Sequence, residues 1–334
     1  SLQRAIIDLG FENPTEVQEK AIPLLLEQET DLVALAQTGT GKTAAFGFPV
    51  IQKIDADNRN TQALILSPTR ELCLQITNEI KLYSKYEKGI NVVAVYGGAS
   101  ITEQARDIKR GAQIIVATPG RMQDMINRGL VNITQINYCI LDEADEMLNM
   151  GFYEDIVNIL STTPDEKSTW LFSATMPAEV ARIAKQFMHN PLEITVGTKN
   201  SGSATVSHEF YLVNARDRYE ALKRLADANP DIFSVVFCRT KRDTQQVAEK
   251  LIEDGYNAAA LHGDLSQAQR DSVMKSFRGR QIQMLVATDV AARGIDVDNV
   301  THVVNYQLPD EIETYNHRSG RTGRAGKLGT SIVI

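Results

Sequence analysis

The stretch that decides the fold is Ala36-Gln37-Thr38-Gly39-Thr40-Gly41-Lys42-Thr43. Residues 31–35 before it read as a short buried strand, and residues 44–53 after it read as a helix. A glycine-rich turn between strand and helix leaves several backbone N–H groups unpaired and facing one concavity. At the positive end of a helix dipole, such a nest holds phosphate oxygens. Lys42 can reach β- and γ-phosphates, and the Thr43 hydroxyl can ligate magnesium. The strict phosphate-loop pattern has Gly at its first position, where this chain has Ala36. A surface turn that merely contains Gly39, Gly41 and Lys42 is the plain alternative; the flanking strand and helix favour a nucleoside triphosphate site.

Outward from this loop, apolar runs at 62–67, 91–96, 113–118, 137–142 and 169–173 alternate with helix-compatible segments. That alternation predicts an α/β fold, a mostly parallel sheet covered by helices on both faces. Around 197–204 the chain turns to small polar residues, a linker composition. Alternation resumes at 207–213, 232–237, 258–261, 283–287, 302–305 and 330–334. Two tandem α/β domains are expected, 1–198 and 206–334, joined by a short flexible linker at 199–205. A length of 334 residues suits that division.

Composition narrows the class. An apolar share of 43% with 23% charged residues fits a soluble globular protein, and no apolar run is long enough to span a membrane. Cys73, Cys139 and Cys238 are odd in number and widely spaced, which suits a reducing, cytoplasmic setting and offers no disulfide or metal framework. The start, Ser1-Leu2-Gln3-Arg4, carries no signal-peptide pattern and reads as trimmed. The net charge of −7 counts mildly against nucleic acid as a partner. A local cationic groove can sit on an acidic protein, and the charge predicts contacts made mostly by backbone N–H groups and hydroxyls, with only a few Arg.

Ahead of the phosphate loop lies Gly10-Phe11-Glu12-Asn13-Pro14-Thr15-Glu16-Val17-Gln18. An aromatic near a glutamine suits a purine: the ring packs on a base face and the amide matches adenine N6 and N7. Asp142-Glu143-Ala144-Asp145 follows the apolar run 138–141. An acidic helix N-terminus explains these carboxylates as readily as a magnesium site does. Beside Lys42 and Thr43 the catalytic reading prevails, with Asp142 at the metal and Glu143 polarising water. Several strand-end turns carry small, polar or Arg residues: Pro68-Thr69-Arg70-Glu71, Gly97-Gly98, Thr118-Pro119-Gly120-Arg121 and Ser173-Ala174-Thr175. Each alone is ordinary loop chemistry. Together they array N–H groups, hydroxyls and guanidinium groups in a way that suits a sugar–phosphate backbone. No aromatic comb accompanies them, so base reading is not expected.

The second domain has no phosphate loop. It offers Arg239, the segment from His262 to Arg270, the segment from Ala287 to Asp296, and His317-Arg318-Ser319-Gly320-Arg321-Thr322-Gly323-Arg324. Arg321 and Arg324, three apart, are expected on one side of a helical turn with glycines that let backbone approach a ligand. Such Arg residues complete another domain's triphosphate site, where they are worth about 10³–10⁵ in rate; an interdomain salt bridge is the structural alternative. His262 and His317 lack partners at metal-ligand spacing.

These segments, in this order, resemble the DEAD-box ATP-dependent RNA helicases of superfamily 2. The resemblance spans nearly the whole chain: Gly10 to Gln18, Ala36 to Thr43, Pro68 to Leu72, Gly97-Gly98, Thr118 to Arg121, the literal D-E-A-D of Asp142 to Asp145, Ser173 to Thr175, Val236 to Thr240, Gln267 with Arg270, Thr288 to Asp296, and His317 to Arg324. Ala36 is that family's usual variant of the loop, and Ser319 stands where many members have Ile. By the same resemblance the chain starts after an isolated upstream aromatic and stops before the last elements of its second domain.

The resemblance implies two RecA-like domains with ATP and RNA bound across the cleft between them. Phe11 and Gln18 would hold adenine, Ala36 to Thr43 the phosphates, and Thr43 with Asp142 the Mg2+. Glu143 would activate water, Arg321 and Arg324 would approach the γ-phosphate, and Gly294 and Asp296 the ribose. RNA would run over Pro68, Thr69, Arg70, Gly98, Thr118, Pro119, Gly120, Arg121, Arg239, Gln267, Arg270 and Thr288. Asp145, Ser173, Thr175 and His317 would couple the two sites. The implied activity is RNA-stimulated ATP hydrolysis with local separation of short duplexes by a monomeric core. Its RNA targets and protein partners would be set by flanking segments. An ATP-dependent RNA clamp, a small-molecule phosphotransferase and a DNA helicase are the competing readings.

Overall fold

The computed structural model describes residues 2–197, 205–292, 297, 299–323 and 327–334. Two compact units result, Ser1–Lys199 and Asn200–Ile334. The expected linker lies, but for Thr205, outside the described residues, as do Gly294, Asp296 and Arg324.

In the first unit the strands are β1 (Leu32–Leu35), β2 (Ala63–Leu66), β3 (Val92–Val95), β4 (Ile114–Ala117), β5 (Tyr138–Leu141), β6 (Ser168–Ser173) and β7 (Leu192–Thr195). All pair in parallel, in the order β3-β4-β2-β5-β6-β1-β7. Successive strand residues face opposite sides, so Leu32 and Ala34 enter one apolar core while Val33 enters the other. With both faces covered by helices, β1, β2, β4 and β5 are apolar throughout and β6 is apolar at 170–172, which explains why they stand out in the sequence. β7 is different. It is a half-exposed edge strand, Leu-Glu-Ile-Thr, without a continuous apolar run, and sequence reading overlooked it.

The second unit holds β8 (Val206–Phe210), β9 (Ser234–Phe237), β10 (Ala258–Leu261), β11 (Met284–Ala287), β12 (His302–Asn305) and β13 (Gly329–Val333). These are again parallel, ordered β10-β11-β9-β12-β13-β8. Val235 and Phe237 face one core and Val236 the other.

Strand order divides the carboxyl edge of the first sheet. The neighbours β5, β6 and β1 end at Asp142, Ser173 and Ala36. The neighbours β3, β4 and β2 end at the Gly97-Gly98, Thr118–Arg121 and Pro68–Arg70 turns. Register ties the first group closely: Leu35 lies opposite Ser173, and the Ala36 N–H donates to Ser173 O at 2.9 Å. Crevices outside the carboxyl ends of such sheets are where α/β proteins bind ligands.

Candidate active site and nucleic-acid interface

The phosphate loop is built by backbone conformation. Gly39 and Gly41 take φ of 78° and 85°, the left-handed region that favours glycine. The helix Lys42–Lys53 then begins two residues earlier than its apolar pattern predicts, with Gly41 as its cap. Lys42 is buried, its Nζ 3.4 Å from Ala36 O and 3.9 Å from Asp142 Oδ1. Thr40 Oγ1 donates to Gln37 O at 2.7 Å, closing the turn.

Gln18 is bound into this loop. Its Nε2 donates to Gly41 O at 3.1 Å, and its Oε1 accepts the Thr15 N–H at 3.0 Å. Each amide atom still has one donor or acceptor position to offer a base. The Phe11 ring meets Phe48 and Tyr83 edge-on, at 5.8 and 6.2 Å between centroids. Phe11 and Gln18 both line a largely apolar cavity of about 650 Å³ beside the helix Glu16–Glu27.

At the end of β5, burial holds the Asp142 carboxyl above the usual carboxylate range; Glu143 adds to this and Lys42 opposes it. Glu143 is a left-handed residue at φ 51°, a conformation costly for a side chain of this size. Its Oε2 is buried without a hydrogen-bond partner. A strained carboxylate with an unsatisfied oxygen beside a phosphate nest is where a general base would be held. One buried carboxylate and one hydroxyl, Asp142 and Thr43, suit magnesium, which takes few protein ligands and completes its shell with phosphate and water. Among the described residues no cluster of three or more His, Cys, Asp or Glu could hold a metal.

Asp145 joins this edge to β6. Its Oδ2 accepts from Thr175 N at 3.0 Å and Thr175 Oγ1 at 2.8 Å, and its N–H donates to Ser173 Oγ at 3.2 Å. On the other half of the edge, Thr69 caps the helix Arg70–Tyr83 by accepting from Leu72 N at 3.2 Å. Gly98 is left-handed at φ 81°, Pro119 opens the helix Pro119–Asn127, and Gly120 faces Phe152 and Asp155.

In the second unit, the Arg239 guanidinium is engaged internally. Its Nη2 donates to Leu308 O at 2.6 Å and to Asp310 Oδ1 at 2.7 Å. Thr288 Oγ1 accepts from Ala291 N at 3.3 Å, and Gln267 Nε2 donates to Asp271 Oδ1 at 2.9 Å. Arg270, in the first turn of the helix Gln267–Arg278, donates its N–H to Ser266 O at 3.0 Å. The helix Ile312–Ser319 stops before Arg321, and this buried Arg lies in the turn that follows, its N–H on Arg318 O at 3.0 Å and its Nε on His317 O at 3.3 Å. Gly323 is required by close packing within the unit: a Cβ there would lie 2.5 Å from Val206 Cγ2.

Residues 15–183 match the profile of the DEAD/DEAH box helicase family, and residues 217–326 match the helicase conserved C-terminal domain. A Geobacillus kaustophilus protein named DEAD-box ATP-dependent RNA helicase CshA is 46% identical over 333 residues, covering 100% of this chain and 71% of the relative. This chain belongs to the DEAD-box ATP-dependent RNA helicases. An ATP-dependent RNA helicase CshA of Listeria monocytogenes is 49% identical over 331 residues, 99% of this DEAD-box chain. The chain spans 63% of that relative's length. Among solved structures, Saccharomyces cerevisiae Dbp5 bound to RNA and ADP BeF3 is 32% identical with a TM-score of 0.89, over 99% of this chain and 86% of the solved chain.

One residue of this DEAD-box chain was passed over by sequence reading. Arg318 is 2% exposed, donates to both Asp289 oxygens at 2.6 and 2.7 Å, and also reaches Asn305 Oδ1 at 3.0 Å and Gln307 O at 2.8 Å. Its guanidinium lies 5.0 Å over the Phe237 ring. The available signal was an Arg on the helix before Arg321 and an Asp one residue after Thr288, which no local periodicity connects.

Proposed function

We propose that this chain is an RNA-stimulated ATPase that separates short RNA duplexes locally or remodels RNA–protein complexes. What supports it above all is the shared carboxyl edge of β5, β6 and β1, which brings Lys42, Asp142, the unsatisfied Glu143 and the Asp145–Thr175 link together. ATP is the substrate. Gln18 and Phe11 take adenine, Ala36 to Thr43 the triphosphate, and Glu143 draws a proton from the attacking water. Magnesium, held by Thr43 and Asp142, would neutralise phosphate charge. Arg321 and Arg324 serve as arginine fingers, and Gly294 and Asp296 meet the ribose. In this reading residues 1–198 are the ATP-binding domain and 206–334 the helicase C-terminal domain, working as a cytoplasmic monomer.

RNA takes the other half of the edge, Pro68 to Arg70, Gly98 and Thr118 to Arg121, and in the second unit Arg239, Gln267, Arg270 and Thr288. Contacts to 2′-hydroxyls would set RNA above DNA. The deciding experiment measures ATP hydrolysis by the full chain alone, with RNA and with DNA, followed by displacement of a short duplex. Stimulation by RNA and ATP-dependent strand release are expected. A rate indifferent to RNA sinks the proposal, and stimulation without release identifies a clamp.

A further inference from the structure

We propose that Gln104 and Tyr96 are positioning residues that hold Arg121 and Arg70 as a pre-aimed pair of guanidinium groups for an RNA backbone, an inference that rests on the RNA reading above. Gln104 sits on the helix Ile101–Lys109, a mostly exposed helix on which it and Ala105 are the buried residues. Its amide is used at both ends. Nε2 donates to Tyr96 O at 3.1 Å, and Oε1 accepts from Arg121 Nη1 at 3.1 Å. Arg121 Nη1 also donates to Ala99 O at 3.0 Å. The Tyr96 ring carries the Arg70 guanidinium, 4.8 Å from Cζ to centroid. Gly98 passes alongside, where a Cβ would make an ordinary van der Waals contact with Arg70 Nη1 at 3.6 Å. The turn after β3 is thereby stitched to the Arg that follows β2 and the Arg that follows β4.

The choice of acceptor matters most. Among the described residues Arg121 is held only by neutral oxygens, an amide and a peptide carbonyl. A carboxylate would orient the guanidinium equally well but cancel its charge. A neutral amide orients it and leaves the full positive potential for an incoming phosphate. The two bonds occupy one of three guanidinium nitrogens, so the rest of the fork can still pair with an anion. Long side chains immobilised in advance do not lose that freedom on binding, which is how preorganisation raises affinity.

The test measures the half-saturating single-stranded RNA concentration of the full chain's ATPase against salt, for Gln104→Ala, Gln104→Glu, Tyr96→Leu, Tyr96→Phe and Arg121→Ala. Gln104→Ala is expected to raise it roughly three- to tenfold, the order set by re-ordering one long side chain, with the rate at saturating RNA much less affected and the salt slope kept. Gln104→Glu is expected to weaken RNA binding and lower the salt slope by about 0.7, as Arg121→Ala does, because one phosphate contact is lost electrostatically. Tyr96→Leu should weaken RNA, and Tyr96→Phe should restore it. Wild-type affinity and slope in Gln104→Glu would overturn the inference, since a merely structural amide tolerates a charge that pairs with Arg121. If Arg121→Ala weakens RNA while neither Gln104 variant does, the positioning role is overturned alone. If Arg121→Ala has no effect, the RNA reading of this face fails first.

Discussion

Replacing Gly41 by Ala probes the junction between the phosphate loop and Gln18. At φ 85° an L residue costs roughly 1–2 kcal/mol relative to glycine. The new Cβ would stand 2.4 Å from Gln18 Nε2 and 3.2 Å from Thr15 Oγ1. The Gln18 side chain must therefore swing away and lose its 3.1 Å bond to Gly41 O, a further net loss of about 1 kcal/mol. The sum, roughly 2–3 kcal/mol in a unit of this size, lowers its melting temperature by about 4–12 °C. The chain's single tryptophan, Trp170, is buried in β6 of the first unit, so its fluorescence reports that unit's unfolding. Binding of a fluorescent ATP analogue should weaken in parallel, because the nest N–H groups are re-aimed. In a Gln18→Ala background the collision is gone, and Gly41→Ala should cost about 1 kcal/mol less. An unchanged melting temperature with unchanged nucleotide affinity would refute the geometry, and strict additivity would refute the Gln18 collision.

Glu143→Gln should keep nucleotide binding and lose at least about 100-fold in ATP turnover, as expected for removal of a general base; near-normal single-turnover hydrolysis would reject that assignment. Thr175→Val removes the 2.8 Å bond to Asp145 Oδ2 but leaves the backbone bond at 3.0 Å. It should impair strand displacement more than RNA-stimulated hydrolysis, and equal losses would argue that the contact serves only the nucleotide site. Burial pushes the thiols of Cys73, Cys139 and Cys238 up to about 12, so native protein at pH 8 should resist iodoacetamide and alkylate at all three positions once unfolded. The folded thiols hold their protons more tightly than the unfolded ones, whose ordinary value is 9.0. Their contribution to stability is therefore intact below about pH 9 and lost as pH climbs toward 12; rapid modification of the native protein at pH 8 would contradict the burial.

The amino-acid order by itself determined where most of the strands run and where the glycine turn between β1 and its helix lies. These are local properties. A strand buried on both faces reads as a near-continuous apolar run, and a nest needs glycines at fixed positions. The edge strand β7 lacked that mark because one of its faces meets solvent. Tertiary structure decided the rest. Periodicity tells which face a residue occupies but not which strand becomes its neighbour, so the grouping of β5 with β6 and β1, apart from β3, β4 and β2, had no sequence signature. For the same reason the Gln18–Gly41 bond, the burial of Arg318 on Asp289 and the Gln104 bridge to Arg121 were invisible in the linear pattern. They join residues 23, 29 and 17 positions apart, and only the packing of helices onto the sheet brings such groups within hydrogen-bond reach.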